Sequence, residues 1–359
     1  MKKLLLFFVF LSLFIVPKVN ASTDTAHSYI LMDEETGRVL LSKDANNPRL
    51  IASITKIMTC IIALENTDIN NIVTVDESIF KAYGSGIYIQ VGEEISVKDL
   101  LYGLMLRSGN DAAIMLSTYI SNSEEEFVKL MNNKAKEIGM KNTTFVNSSG
   151  LDENGGNYST AYDMALLTRY AMNNEMYKQI VSTKEHKVKT NYKSYIWNNK
   201  NKLLRYDYIT GGKTGYTEKA HRTLVSTASI NNMDLIVVTL NDSDDWNTHI
   251  SLYEYAKDNY ISYKVLNKSK FKIENDNYFK GNLYIKNDVY IPFKKEETDS
   301  LISHIKLYKI NNYKDDDVVG INQIIYKDEV IYEANIYIDK EYIKPKENLL
   351  KKLKKWLYD

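Results

Sequence analysis

The chain has 359 residues, 44% of them hydrophobic and 26% charged. That composition is globular, with length for roughly two domains, and it excludes a disordered or fibrous class. Its 46 basic and 46 acidic side chains cancel, so no overall field selects nucleic acid or an anionic surface.

The first 21 residues read as an export signal and not as fold. Lys2 and Lys3 open it, an apolar run from Leu4 to Val16 is broken only by Ser12, and Val19-Asn20-Ala21 supplies small residues for cleavage. The run is short of the roughly 20 apolar residues of a membrane span, which weakens the alternative of a retained anchor. Cleavage near Ala21 removes Lys2, Lys3 and Lys18 and takes the formal charge from 0 to −3. An exported product with one cysteine, Cys60, forms no internal disulfide and is held by its core. Cys60 sits in an apolar helical stretch and reads as a small hydrophobe, not a nucleophile.

After the signal, apolar runs at 29–32 and 39–41 flank Gly37 and read as a β-hairpin. Ile54, Ile57, Met58, Ile61 and Ile62 then recur at helical spacing. Further helical patterns cover 99–117 and 124–137, the second stopped by Gly139, and another covers 160–172. Strand patterns return at 223–228 and 235–240 around the turn Asn231-Asn232. Strands, then helices, then strands indicate an α/β (α+β) domain built on one mixed or antiparallel sheet. Helical spacing fades after Asn259, and a small all-β domain is expected at 265–342, with Lys327-Asp328-Glu329 as a hairpin turn. The segment 345–359 places Leu349, Leu350, Leu353, Trp356 and Leu357 on one helical face, with lysines off it. Such a helix suits a membrane interface, and equally a dock on its own domain.

Three short motifs occur in order: Ser53-Ile54-Thr55-Lys56, Ser108-Gly109-Asn110 and Lys213-Thr214-Gly215. Each is weak alone, since Ser-x-x-Lys recurs at Ser78/Lys81, Ser269/Lys272 and Ser303/Lys306, and Ser-x-Asn at Ser229/Asn231. The ordered triple carries the weight. Ser53 heads the apolar helix, where the dipole favours developing negative charge, and Lys56 falls one turn along on the same face. Lys56 accepts the serine proton only when neutral, and burial beside a second cation would make it so. Lys213 is the expected second cation. Ser108 and Asn110 project from an inter-helix loop, and the glycines around Lys213 allow a substrate to pair along that edge as an added strand.

The triple is similar to the set shared by class A β-lactamases and penicillin-binding proteins. The stretches 51–59, 107–113, 131–151 and 212–217 resemble the low-molecular-weight D-alanyl-D-alanine carboxypeptidases, over about residues 28–260. The resemblance implies a β-lactamase/transpeptidase-like catalytic domain at 22–262, the β-rich domain behind it, and no cofactor or metal. It also implies roles. Ser53 attacks the bond between two D-alanines and Lys56 takes its proton. Ser108 and Asn110 move protons and hold the substrate amide. Lys213 and Thr214, followed by Gly215, meet the terminal carboxylate. The N–H groups of Ser53 and Tyr216 form the oxyanion hole. Peptidoglycan stem peptides would be the substrate, β-lactams the inhibitors, and the outer face of the cytoplasmic membrane the location. One departure stands out: Lys200 occupies a position where many relatives carry a carboxylate-binding arginine, which keeps the charge but loses the two-pronged fork. A β-lactamase would need a Glu-x-x-Leu-Asn string between Asn110 and Lys213, and none occurs. An endopeptidase and a non-catalytic wall-binding protein are the remaining readings.

Overall fold

The computed structural model describes residues 25–152, 155–272, 278–279, 282–308 and 312–339. The expected export signal at 1–21 and the basic helix at 345–359 lie outside the described residues.

A five-stranded sheet forms the middle layer, in the order Val39–Lys43, Ala26–Asp33, Met233–Asp242, His221–Ile230, Ile209–Thr217. Every pairing in it is antiparallel. Its strands carry continuous apolar runs because both faces are covered. Ile30, Met32, Val225, Ile236 and Val238 face the helical side, whereas Leu31, Leu224, Leu235 and Val237 face helix α7 (Asp245–Asn259) through Leu252, Tyr253 and Ala256. Alternate residues of one strand thus feed two cores. The hairpin joining the two long strands turns on Asn231 and Asn232, both at positive φ (52° and 60°), the twist a two-residue turn requires.

Helix α1 (Lys56–Asn66) runs through the middle of the helical layer, with Lys56 to Ala63 all buried. A 3₁₀ turn, Ala52–Thr55, leads into it, so Ser53 sits just before the helix proper. The helical pattern at 99–117 is not one helix. Helix α2 (Val97–Tyr102) passes into a π-turn (Gly103–Arg107), Ser108 takes a left-handed conformation (φ 62°, ψ 37°), and α3 (Asn110–Ser121) starts afresh. The break falls at the inter-helix loop expected around Ser108 and Asn110, and both flanking stretches are buried. Helices α4 (Glu124–Glu137), α5 (Ala161–Ala171) and α6 (Glu175–Ser182) complete the layer, each opened by a side-chain cap from Ser123, Thr160 or Asn174. Gly139, at φ +84°, ends α4.

Beyond α7 the described residues are strands apart from one 3₁₀ turn, Lys295–Ser300. Ile261–Leu266, starting ahead of the expected 265, pairs with Val289–Phe293. A second sheet follows the order Lys270–Phe271, Asn282–Tyr284, Glu329–Asp339, Val318–Tyr326, Leu301–Leu307. Lys327 and Asp328, at φ 49° and 64°, make the expected hairpin turn. Arg38 ties this region to the first hairpin: its guanidinium donates to the Pro292 carbonyl (2.6 Å) and to both Glu297 oxygens (2.8 and 2.9 Å), 4.6 Å above the Phe293 ring.

Candidate active site

The three motifs converge on one cleft. The 52–55 turn is forced into place by close backbone packing. Ala52 adopts φ 49°, rare for a residue with a Cβ. Gly150, at φ +88°, lies so close that a Cβ there would fall 1.9 Å from the Ala52 carbonyl oxygen. On the other side, a Cβ on Gly215 would come within 2.9 Å of the Ser53 nitrogen and 2.4 Å of Thr223 Oγ1. Glycine is therefore required on both flanks of the serine.

Lys56 is fully buried. Its Nζ lies 2.6 Å from the Ser149 carbonyl, 2.7 Å from Asn110 Oδ1 and 3.1 Å from Ser53 Oγ. The Asn110 amide is oriented by its other end, since Nδ2 donates to the Tyr83 carbonyl at 2.6 Å; Oδ1 must then face the amine. Two of the three neighbours of Nζ only accept hydrogen bonds. A neutral amine has two N–H bonds for them and one lone pair left for the third neighbour, a hydroxyl able to donate.

Burial is the largest influence on Lys56 and pushes its pKa down to about 7; the nearby Lys200 charge adds to this, and Asp111 opposes it. Lys200 is thus a cation acting on the amine, alongside the expected Lys213, whose charge interacts with that of Lys56. Lys213 is 1% exposed, and burial, with Lys56 and Lys200 beside it, holds it well below the usual lysine range. Lys213 Nζ donates to the Thr214 carbonyl (2.6 Å) and lies 3.1 Å from Ser108 Oγ. Lys200 is at the cleft mouth, its Nζ 3.1 Å from Ser85 Oγ.

The open cleft measures about 520 Å³ and is lined by Ser53, Ser108, Lys200, Thr214, Gly215 and Tyr216, so it gathers members of all three motifs. It continues past them to Arg222, Asp245 and Trp246, which no spacing in the sequence singled out. Arg222 Nε and Nη2 donate to Asp245 Oδ1 at 3.0 and 2.5 Å, and its guanidinium sits 5.5 Å from the Trp246 ring centre. The Ser149 carbonyl also escaped sequence reasoning, because a main-chain acceptor leaves no residue-type signal. Asn147 shapes the turn that aims it, accepting from Gly150 N at 2.7 Å and donating to Leu151 O at 2.8 Å.

A hydroxyl–imidazole pair is closed off from solvent. Ser226 Oγ lies 2.6 Å from His249 Nδ1 and 2.7 Å from the Tyr253 hydroxyl, but all three are buried and burial pushes His249 down to about 3. Cys60 is likewise buried, which pushes its thiol up. Among the described residues no cluster of three or more His, Cys, Asp or Glu gathers to hold a metal.

A family model for D-alanyl-D-alanine carboxypeptidases matches residues 16–244. The chain is 40% identical over 225 residues to the D-alanyl-D-alanine carboxypeptidase DacF of Bacillus subtilis, covering 61% of this chain and 58% of that one. It therefore spans a little under three fifths of that relative. Penicillin-binding protein 5 of Haemophilus influenzae matches with a TM-score of 0.69 at 26% identity, over 88% of this chain and 96% of that chain. Penicillin-binding protein 3 of Streptococcus pneumoniae, described as a peptidoglycan synthesis regulatory factor, reaches a TM-score of 0.75 at 24% identity over 88% and 98%. That last likeness is one of fold.

Proposed function

The chain belongs to the D-alanyl-D-alanine carboxypeptidase family, and from that premise we propose that it is a serine hydrolase removing the terminal D-alanine of peptidoglycan stem peptides. The observation that carries the reading is the environment of Lys56 Nζ, with two obligate acceptors and one hydroxyl around a buried amine. In the proposed reaction the Ser53 hydroxyl gives its proton to Lys56 as Oγ attacks the penultimate D-alanine carbonyl. The oxyanion forms against the Ser53 and Tyr216 N–H groups, donors worth about 3–4 kcal/mol each in other enzymes. The C–N bond then breaks. The departing amine takes, relayed through Ser108, which stands beside Lys213, the proton that Lys56 had accepted; Lys56 is neutral again and D-alanine leaves. Water then loses a proton to Lys56 as it attacks the ester, and when the acyl C–O bond breaks Lys56 passes that proton to Ser53 Oγ, restoring both groups.

Asn110 holds the substrate amide in this scheme, and Lys213 and Thr214 receive the terminal carboxylate together with Lys200. Arg222 adds a cation that stays charged at every working pH, braced by Asp245 at the cleft's far end. β-Lactams, which present a strained amide in the place of the dipeptide, would acylate Ser53 and leave slowly. The proposal includes export past the signal at 1–21, action outside the cytoplasmic membrane, and peripheral contact through 345–359. Among the described residues no helix is long and apolar enough to cross a membrane.

Labelling with a fluorescent penicillin tests the reading. The wild type should take up label stably and Ser53→Ala should take up none; equal labelling of both removes Ser53 as nucleophile, and labelling of neither favours a wall-binding protein.

A further inference from the structure

Asp111 follows the second motif, and the reaction scheme above leaves it without a task. Its carboxylate is 8% exposed and is taken up by backbone donors. Oδ1 accepts from Ile87 N (3.0 Å) and Ala112 N (2.9 Å), and Oδ2 accepts from Ile87 N (3.0 Å) and Tyr88 N (2.6 Å). Gly86 and Gly109 crowd the same carboxylate: a Cβ on either would stand 3.1 Å from Oδ2 or 2.9 Å from Oδ1. The 83–88 loop is thereby nailed onto the first turn of α3.

That loop does three things at the cleft. The Ser85 carbonyl accepts from Asn110 N at 2.8 Å, and the Tyr83 carbonyl accepts from Asn110 Nδ2, so the loop fixes both ends of Asn110. Asn110 in turn presents Oδ1 to Lys56. The loop also seats Lys200, through Ser85 Oγ. One carboxylate therefore holds the piece that orients the amine and the piece that places the cation facing it.

We propose that Asp111 is a positioning residue for Lys56: it anchors the 83–88 loop that aims Asn110 at the amine, and its negative charge offsets Lys200. This rests on the reading of Lys56 as the base for Ser53. The charged groups packed around the amine are few. Helix α3 contributes Asp111, the 209–217 strand Lys213, and the 199–201 segment Lys200; on α4, Glu124 is engaged with Ser148 N and Oγ (2.8 and 2.6 Å), while on α1 itself Cys60 is held neutral by burial. Of these, Lys200 pulls the Lys56 proton affinity down and Asp111 pulls it up. The two oppose each other from the two ends of the same loop contact.

The test is the pH dependence of the second-order rate of acylation by a fluorescent penicillin. The rate falls on the acid side as Lys56 gains a proton. Asp111→Asn keeps an acceptor oxygen and removes the charge, so the acid midpoint should move to lower pH by roughly half a unit or more. Lys200→Met should move it the other way. Gly86→Ala leaves both charges in place and pushes on the loop, so it should lower the rate roughly ten-fold or more at every pH without moving the midpoint. Midpoints unmoved in Asp111→Asn and Lys200→Met overturn the proposal. If Asp111→Asn does not fold, Gly86→Ala decides: unchanged acylation refutes the positioning role. Ser53→Ala run alongside separates failures, since labelling of that variant would sink the reaction scheme itself and not this inference alone.

Discussion

Replacing Lys56 by methionine should change how stability depends on pH, and the size follows from burial. The side chain's pKa falls from 10.5 in the unfolded chain to about 7 in the folded one. Between those values the unfolded chain holds a proton that the native state does not, so stability rises with pH by about 1.4 kcal/mol per unit. Above the unfolded value the penalty vanishes, and below the folded value it is complete, at roughly 5 kcal/mol. Methionine is unbranched and of similar length, so it fills the same space without the charge. It also orphans the Ser149 carbonyl and Asn110 Oδ1, at about 1–3 kcal/mol each. Those losses do not titrate. They set the offset between the two proteins, whereas Lys56 sets the slope. In guanidinium unfolding at two pH values two units apart inside the window, the wild type should gain roughly 3 kcal/mol over Lys56→Met on going to the higher pH. Parallel stability curves would mean that Lys56 keeps its proton in the fold, and the reasoning about a neutral base would fail.

Gly215→Ala should abolish penicillin labelling while the protein still folds, because the added Cβ meets the Ser53 nitrogen at 2.9 Å and Thr223 Oγ1 at 2.4 Å; labelling at the wild-type rate would show that this edge can move aside. Arg222→Gln should raise KM for a peptide ending in a free carboxylate by roughly ten-fold and leave kcat within a few-fold, since a charge-assisted contact is worth about 1.5–3 kcal/mol. The same variant should hydrolyse a carboxyl-amidated peptide no worse than wild type, and an equal loss on both substrates would remove Arg222 from carboxylate recognition. Arg38→Ala should loosen the C-terminal strands from the first hairpin, seen as faster limited proteolysis beyond Asn259 with acylation unchanged. Equal proteolysis would mean that its contacts to Pro292, Glu297 and Phe293 contribute little.

The strands and the turns between them were legible because their signals are local. Asn231, Asn232 and Asp328 are of the types that positive φ favours, and alternation or a continuous apolar run marks each flanking strand. The three motifs were legible as residue types, yet their meeting place was not. Lys56 reaches Asn110 across 54 positions and Ser149 across 93, separations over which spacing carries no geometry. The break at Ser108 was legible as an inter-helix loop, because a Ser-Gly-Asn string interrupts the apolar pattern there, and α3 starts at Asn110. The cations that depress Lys56 were read only in part, for a related reason. Lys200 stands outside the three motifs, and only the fold brings its charge to bear on Lys56. Arg222 and Asp245 come from adjacent ends of a strand and a helix, 23 positions apart, and became a pair only when the sheet placed them beside Trp246. The antiparallel hairpin of Glu185–Lys189 and Ser194–Asn198 buries only Val188 and Trp197, too little apolar pattern to read in a lysine-rich stretch.

Incubating the purified protein with a pentapeptide ending in D-Ala-D-Ala and measuring free D-alanine puts the account to its most direct trial. One equivalent of D-alanine should appear per peptide cleaved, with none from Ser53→Ala and none from wild type pre-treated with a penicillin. Release of D-alanine by Ser53→Ala at the wild-type rate, or none from an untreated, folded wild type, would contradict it.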